Sequence, residues 1–261
     1  MMMKGLLDRL RLPGAKELPG LDDEAAARVF RKILNRKPYL RALYSRFYRI
    51  LLKEAGTCTP LVELGSGSGF LPRIAPAVIA SDILPAPDLD LRCSALELPF
   101  RCDSVGAFLM FDVFHHVKDA GAFLAEMHRA LKPGGRIVMI EPAATPFARF
   151  IYGRFHHEPF DPQAGWTIPG GGPRSGANGA LPWIVFMRDR PRLEREFPGL
   201  RLKPPSLHTP FSYLVSGGLS FRQFLPGWTE PAIAFLERRL VPVMSLLAMF
   251  MTVTLEKDVS R

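Results

Sequence analysis

The chain has 261 residues, 48% of them apolar, and carries a formal net charge of +9 with an isoelectric point near 9.8. That length fits one α/β domain with additions, or at most two domains, and the apolar share supports a full core. The basic residues are mostly Arg and no block of five like charges occurs, which argues against a nucleic-acid partner.

Cys58, Cys93 and Cys102 form an odd set without CxxC spacing. They suggest neither a zinc site nor a disulfide framework and fit a reducing compartment. Lys4, Asp8, Arg9 and Arg11 interrupt the N-terminal stretch, so no secretory signal is expected and the location is predicted to be cytoplasmic. Residues 1–20 read as irregular, with Pro13-Gly14 and Pro19-Gly20 as breakers. Asp22 or Asp23 can cap a helix over 25–34. A second helix is predicted between Pro38 and Gly56, with Leu40, Leu43, Phe47, Ile50 and Leu51 on one face. Arg41, Arg46, Arg49 and Lys53 fall largely on the other. Such a helix either touches an anionic membrane or packs its apolar face on the domain, and the second is favoured.

Residues 61–70 organise the rest. The apolar run around Glu63 reads as a buried parallel strand, and Gly65, Gly67 and Gly69 then supply a tight turn that a ligand can approach. Asp82 ends the next apolar run, where an acid can take both hydroxyls of a ribose. The alternation predicts strands at 60–64, 77–81, 89–93, 105–111 and 136–141. A short helix is expected from Phe70 and a longer one over 119–131, with Lys132-Pro133-Gly134-Gly135 as the turn into the fifth strand.

Residues 142–182 are rich in Pro and Gly and also in aromatics, which reads as a functional insertion or lid. A helix is expected over 181–197, a sixth strand from 200–203 and an antiparallel final strand over 250–256, with a second insertion at 205–249. The apolar stretch 240–255 contains Pro242 and Ser245 and reads as a helix and a buried strand, not a membrane span. Residues 1–56 thus form an N-terminal helical extension to a 57–261 domain.

The glycine loop, Asp82, Leu98-Pro99-Phe100, the apolar run ending in His115-His116, and Leu131-Lys132-Pro133-Gly134-Gly135 occur in a fixed order. This set resembles class I S-adenosylmethionine-dependent methyltransferases, closest to the branch with the ubiquinone and menaquinone biosynthesis enzymes. The resemblance covers about residues 57–145. It implies an α/β, Rossmann-like, mostly parallel seven-stranded sheet with an antiparallel last strand, helices on both faces, N-terminal helices and two insertions. It also implies S-adenosyl-L-methionine as cofactor, held by Glu63, Gly65, Ser66, Gly67, Gly69, Asp82, Ile83, Ser94, Ala95, Leu96 and Phe111. Glu63 would reach the amino group, Asp82 the ribose and Ser94 the adenine edge; Ser94 stands where the family commonly has Asp.

An oxygen acceptor needs its proton removed, and His116 or His115, at the end of the fourth strand, suits that role. His156, His157, Glu158 and Asp161 hint at a metal cluster, but adjacent histidines do not share a helix face, and no metal is expected. The expected activity is methyl transfer to oxygen or carbon of a small hydrophobic or lipid-linked acceptor. Peripheral membrane contact is carried beside it. An NAD(P)-dependent oxidoreductase is the first alternative, opposed by GxGxG in place of GxGxxG. A non-catalytic, membrane-peripheral interaction protein is the second.

Overall fold

A computed structural model describes residues 12, 22, 24–86, 88–156 and 158–259. Apart from Leu12, the reading of residues 1–20 lies outside these, as do Asp23 and His157.

Five parallel strands form the sheet's first half: β1 (Leu61–Leu64), β2 (Ile79–Asp82), β3 (Leu91–Arg92), β4 (Val105–Phe111) and β5 (Leu131–Pro142). β8 (Phe250–Lys257) runs antiparallel beside β5, and β6 (Leu200–Leu202) and β7 (Ser206–His208) each pair antiparallel with β8. The order is β3-β2-β1-β4-β5-β8-β6, with β7 also on β8. β4 is buried along its whole length, as expected for a central strand that reads as a continuous apolar run. Because β1 has β2 on one side and β4 on the other, strand order reverses there, and a crevice opens at the carboxyl ends.

Helices cover both faces. On one, α3 (Ala120–Ala130) is capped by Asp119, whose side chain accepts from Ala122 N at 2.9 Å. On the other lies α2 (Pro38–Ala55), which follows α1 (Glu24–Arg36). Leu40, Leu43, Phe47 and Leu51 of α2 are fully buried, and the Phe47 ring sits 5.1 Å from Phe111 and 5.3 Å from Phe250. Of the two roles weighed for this helix, its apolar face is spent on the sheet.

Four details differ from expectation. The sheet has eight strands, not seven, because β7 forms inside the second insertion; three residues flanked by prolines carry no readable period. β5 starts at Leu131 rather than 136, since Leu131 pairs with Val105 and the register then skips to Arg136 opposite Ala107. The bulge absorbs the Lys-Pro-Gly-Gly sequence within the strand. After the glycine loop only a 3₁₀ turn forms, Leu71–Arg73. The helix over 181–197 is broken into Leu181–Trp183, a π turn at Ile184–Arg188 and α5 (Arg190–Glu196). Pro191 can supply no N–H to a continuous helix and sits instead in the first turn of α5.

Candidate functional site

A cavity of about 310 Å³ opens at the carboxyl ends of β1 to β4. Gly65, Gly67 and Gly69 have φ of +77°, +48° and +65°, a conformation that side chains with a Cβ seldom adopt. At Gly65 a Cβ would also stand 2.4 Å from Val113 Cγ2. The turn is tied to β2 by Ser66 N donating to Ser81 O (2.9 Å) and Gly67 N donating to Asp82 Oδ2 (2.9 Å). Leu84 N donates to the other Asp82 oxygen at 3.0 Å. The Arg174 guanidinium, from the first insertion, reaches Asp82 Oδ2 at 3.2 Å. Its Nη1 is buried with no hydrogen-bond partner among the described residues.

Gly65, Ser66, Gly67, Asp82, Ile83, Ser94, Ala95, Leu96 and Phe111 all line this cavity. Glu63 and Gly69 do not. Gly69 N closes the turn onto Ser66 O at 2.9 Å. Glu63 is 1% exposed, accepts the Ser66 hydroxyl and bonds the Tyr48 hydroxyl. Burial pushes its carboxyl up to about 7, against the lowering effect of those two bonds. Ser94 Oγ accepts from Leu96 N at 3.1 Å, so the hydroxyl shapes its own turn at the cavity wall.

The opposite wall is ionic. Glu141, wholly buried at the end of β5, accepts from Val113 N (2.8 Å) and Phe114 N (2.6 Å) through Oε1. Its Oε2 meets His115 Nδ1 at 2.8 Å. His115 Nε2 faces Glu158 Oε2 at 3.3 Å, and His116 Nε2 faces Glu158 Oε1 at 3.6 Å. Burial would strip His115 of its proton, but the bonds to Glu141 and Glu158 outweigh it and hold the imidazole charged. Burial likewise opposes the Glu158 charge and is outweighed by His115, leaving its carboxyl well below the usual range. His116 has no such compensation: burial, then the charge on His115, pulls it down to about 4, so it is neutral at pH 7. Its Nδ1 lies 3.3 Å from the Gly176 carbonyl, which can only accept. A hydrogen bond there needs the proton on Nδ1, which leaves a lone pair on Nε2.

His116 and Glu158 line the cavity, whereas His115 is 1% exposed and acts behind them. The three side chains bring ligand atoms within 4.8 Å of one another, as do Asp112, His115 and Glu141. A divalent ion could span either set, but the charges of His115 and its two carboxylates already balance much of this cluster without one.

The first insertion does not bring its aromatics to the cavity. Trp166 is 4% exposed in the core, its Nε1 donating to Asp189 Oδ2 at 2.9 Å, and Tyr152 stacks on Phe160. The insertion contributes His156, Glu158, Pro173 and Arg174 instead. Sequence reasoning singled out Glu158 without pairing it to His115 or His116, and missed Tyr44 and Tyr48 of α2 and Phe30 of α1 as wall residues and Glu141 and Arg174 as partners. The apolar face of α2 was a visible signal; the ionic partners stand 26 to 92 residues along the chain from the groups they meet and left none.

Residues 62–139 match the family model described as a methyltransferase domain. The demethylmenaquinone methyltransferase of Symbiobacterium thermophilum is 35% identical over 77 residues, 29% of this chain and 30% of that protein. The ubiquinone/menaquinone biosynthesis C-methyltransferase of Desulfotalea psychrophila is 38% identical over 66 residues, 23% and 27% of the two chains. The matched stretch thus spans less than a third of either relative's length. Similar solved structures include a possible histamine N-methyltransferase from Thermotoga maritima, with TM-score 0.48 and 17% identity over 88% of this chain and 99% of that one. A geranyl diphosphate C-methyltransferase from Streptomyces coelicolor A3(2) has TM-score 0.45 and 17% identity over 82% and 76%.

Proposed function

We propose, from the match of residues 62–139 to a methyltransferase domain, that the protein transfers a methyl group from S-adenosyl-L-methionine to a small hydrophobic or lipid-linked acceptor. The observation that carries the reading is the three left-handed glycines lying against Asp82 at the strand-order switch. These residues fit the cofactor: the loop leaves backbone open to a ligand, and Asp82 offers two oxygens to a ribose. Ile83, Ser94, Ala95, Leu96 and Phe111 would flank the adenine end. Asp82 Oδ2 is shared with Arg174, so ribose hydroxyls would take over part of that ion pair.

When bound, the cofactor supplies an electrophilic methyl group on a sulfonium. The chain's own task is to align the acceptor, exclude water and handle a proton. Tyr44, Tyr48, Val113, Val117 and Tyr213 provide an apolar wall. For an oxygen acceptor, His116 Nε2 would take the proton, and the Glu158 carboxylate beside it would stabilise the resulting imidazolium.

Calorimetry with S-adenosyl-L-methionine tests the reading. Gly67→Val should abolish binding, because a β-branched side chain resists the +48° φ of the loop and stands where the ligand approaches; circular dichroism checks that the sheet still forms, since no protein atom lies nearer to a Cβ there than Gly65 O at 3.9 Å. Asp82→Ala should weaken binding by about 1.5–3 kcal/mol. Arg174→Ala should bind at least as tightly as wild type. Unchanged affinity in both of the first two variants would remove the cofactor assignment. His116→Ala should lower turnover by about 10²–10⁴-fold with cofactor affinity kept within a few-fold; normal turnover would leave His116 a structural role.

A further inference from the structure

The segment from Trp228 to Leu247 is turned inside out. Its main element is α7 (Glu230–Arg238), followed by α8 (Met244–Leu247). The only acids between residues 225 and 249 are Glu230 and Glu237, and both are buried, 7% and 4% exposed. Glu237 Oε1 accepts from Phe211 N (2.9 Å) and Ser212 N (2.7 Å), and Arg46 of α2 pairs with both acids at 3.1 Å. The apolar side chains face the other way. Trp228 is 81% exposed, Val241 67%, Leu236 59%, Leu246 53% and Phe235 49%. Between them stand Arg238 and Arg239, each with its guanidinium over the Phe235 ring, 5.8 and 4.9 Å from the centroid.

An ordinary surface helix buries its apolar residues and shows its charges. Here the exposed face joins large apolar side chains to cations and shows no acid. A cluster of exposed apolar groups on this scale marks a partner. A protein partner is met by a rim of both charge signs, whereas this face carries one sign only. Apolar side chains with interspersed arginines and no negative charge are what an anionic lipid surface selects: the rings enter the acyl boundary and the guanidinium groups meet the head groups. We infer that residues 228–247 dock this protein on an anionic bilayer. The inference does not depend on the acceptor or on methyl transfer. The face is linked to the cavity, since Glu237 holds the backbone of Phe211 and Ser212, and the next residue, Tyr213, lines the cavity wall.

Co-sedimentation of the full chain with vesicles decides it, using phosphatidylcholine alone and phosphatidylcholine mixed with phosphatidylglycerol. The protein should pellet with the mixed vesicles, release as salt is raised, and shift its tryptophan emission to the blue through Trp228. Phe235→Ser/Leu236→Ser should lower the partition coefficient roughly tenfold or more with little change in melting temperature, because the two side chains are already 49% and 59% exposed. Arg238→Ser/Arg239→Ser should weaken binding to mixed vesicles and flatten its salt dependence. Failure to bind mixed vesicles overturns the inference. So does wild-type binding by Phe235→Ser/Leu236→Ser, or self-association through this face that vesicles do not compete away.

Discussion

Helices α2 and α7 touch each other and follow opposite rules. Both are amphipathic. In α2 the apolar face enters the core and the cations look outward, except Arg46. In α7 the carboxylates enter and the apolar side chains look outward. The difference comes from one residue. Arg46 lies on the polar side of α2, and its guanidinium is the counter-charge that lets Glu230 and Glu237 be buried. An amphipathic pattern therefore fixes which two faces of a helix differ, and the neighbour decides which of them goes in.

The largest effect that would break this contrast is at Phe47. Phe47→Ala removes a fully buried ring from between α2 and the sheet and should cost about 3–5 kcal/mol in denaturant unfolding. A smaller loss would mean that α2 does not build the core. Next is Arg46→Ala, which strands two buried carboxylates; about 3 kcal/mol is expected in denaturant unfolding. A loss under about 1 kcal/mol would show that the two acids do not need this counter-charge.

His208 gives a readout of the same region that is confined to a pH window. Its ring lies 5.8 Å from that of Phe47. Burial, then the charge on Arg46, pulls it down to about 3, and its two nitrogens meet the hydroxyls of Thr209 and Thr252. The unfolded chain therefore binds this proton first. Stability from neutral His208 is full above about pH 6.5 and is lost as pH falls from there towards 3, by at most about 1.4 kcal/mol per unit. His208→Gln should flatten the stability profile in that window and nowhere else. The smallest expected effect is at the exposed end of the comparison: Phe235→Ser should change stability by no more than about 0.5 kcal/mol. A larger loss would mean that the α7 ring is part of the core after all.

What the sequence made legible follows the same logic. β4 and the face of α2 were readable because burial imposes a period, and the glycine loop because three left-handed residues need glycine. β7 was too short for a period, and the run over 181–197 hid its break because a helical apolar pattern does not register Pro191, which restarts the helix after the π turn. At the cavity, His115 and His116 were visible as residue types. That His115 is charged depends on Glu141 and Glu158, and that His116 is neutral depends on burial and on the charge of His115; only the fold supplies these neighbours. The inversion of α7 was illegible for the same reason: its cause sits 191 residues away at Arg46.

The position of β8 has a consequence for how the chain is made. Among the described residues β6 and β7 pair with no strand other than β8, and β8 follows both in the chain. During synthesis β1 to β5 can assemble as they emerge, because each finds a partner already present. The 107 residues from 143 to 249 must then wait, with β6, β7 and the open edge of β5 unpaired, until one eight-residue strand closes three ladders at once. Folding of this half is thus set by a late, long-range event, the kind that slows sheet formation and exposes strand edges to aggregation. Nascent chains halted before Phe250 should show protease protection over 61–142 and none over 200–208.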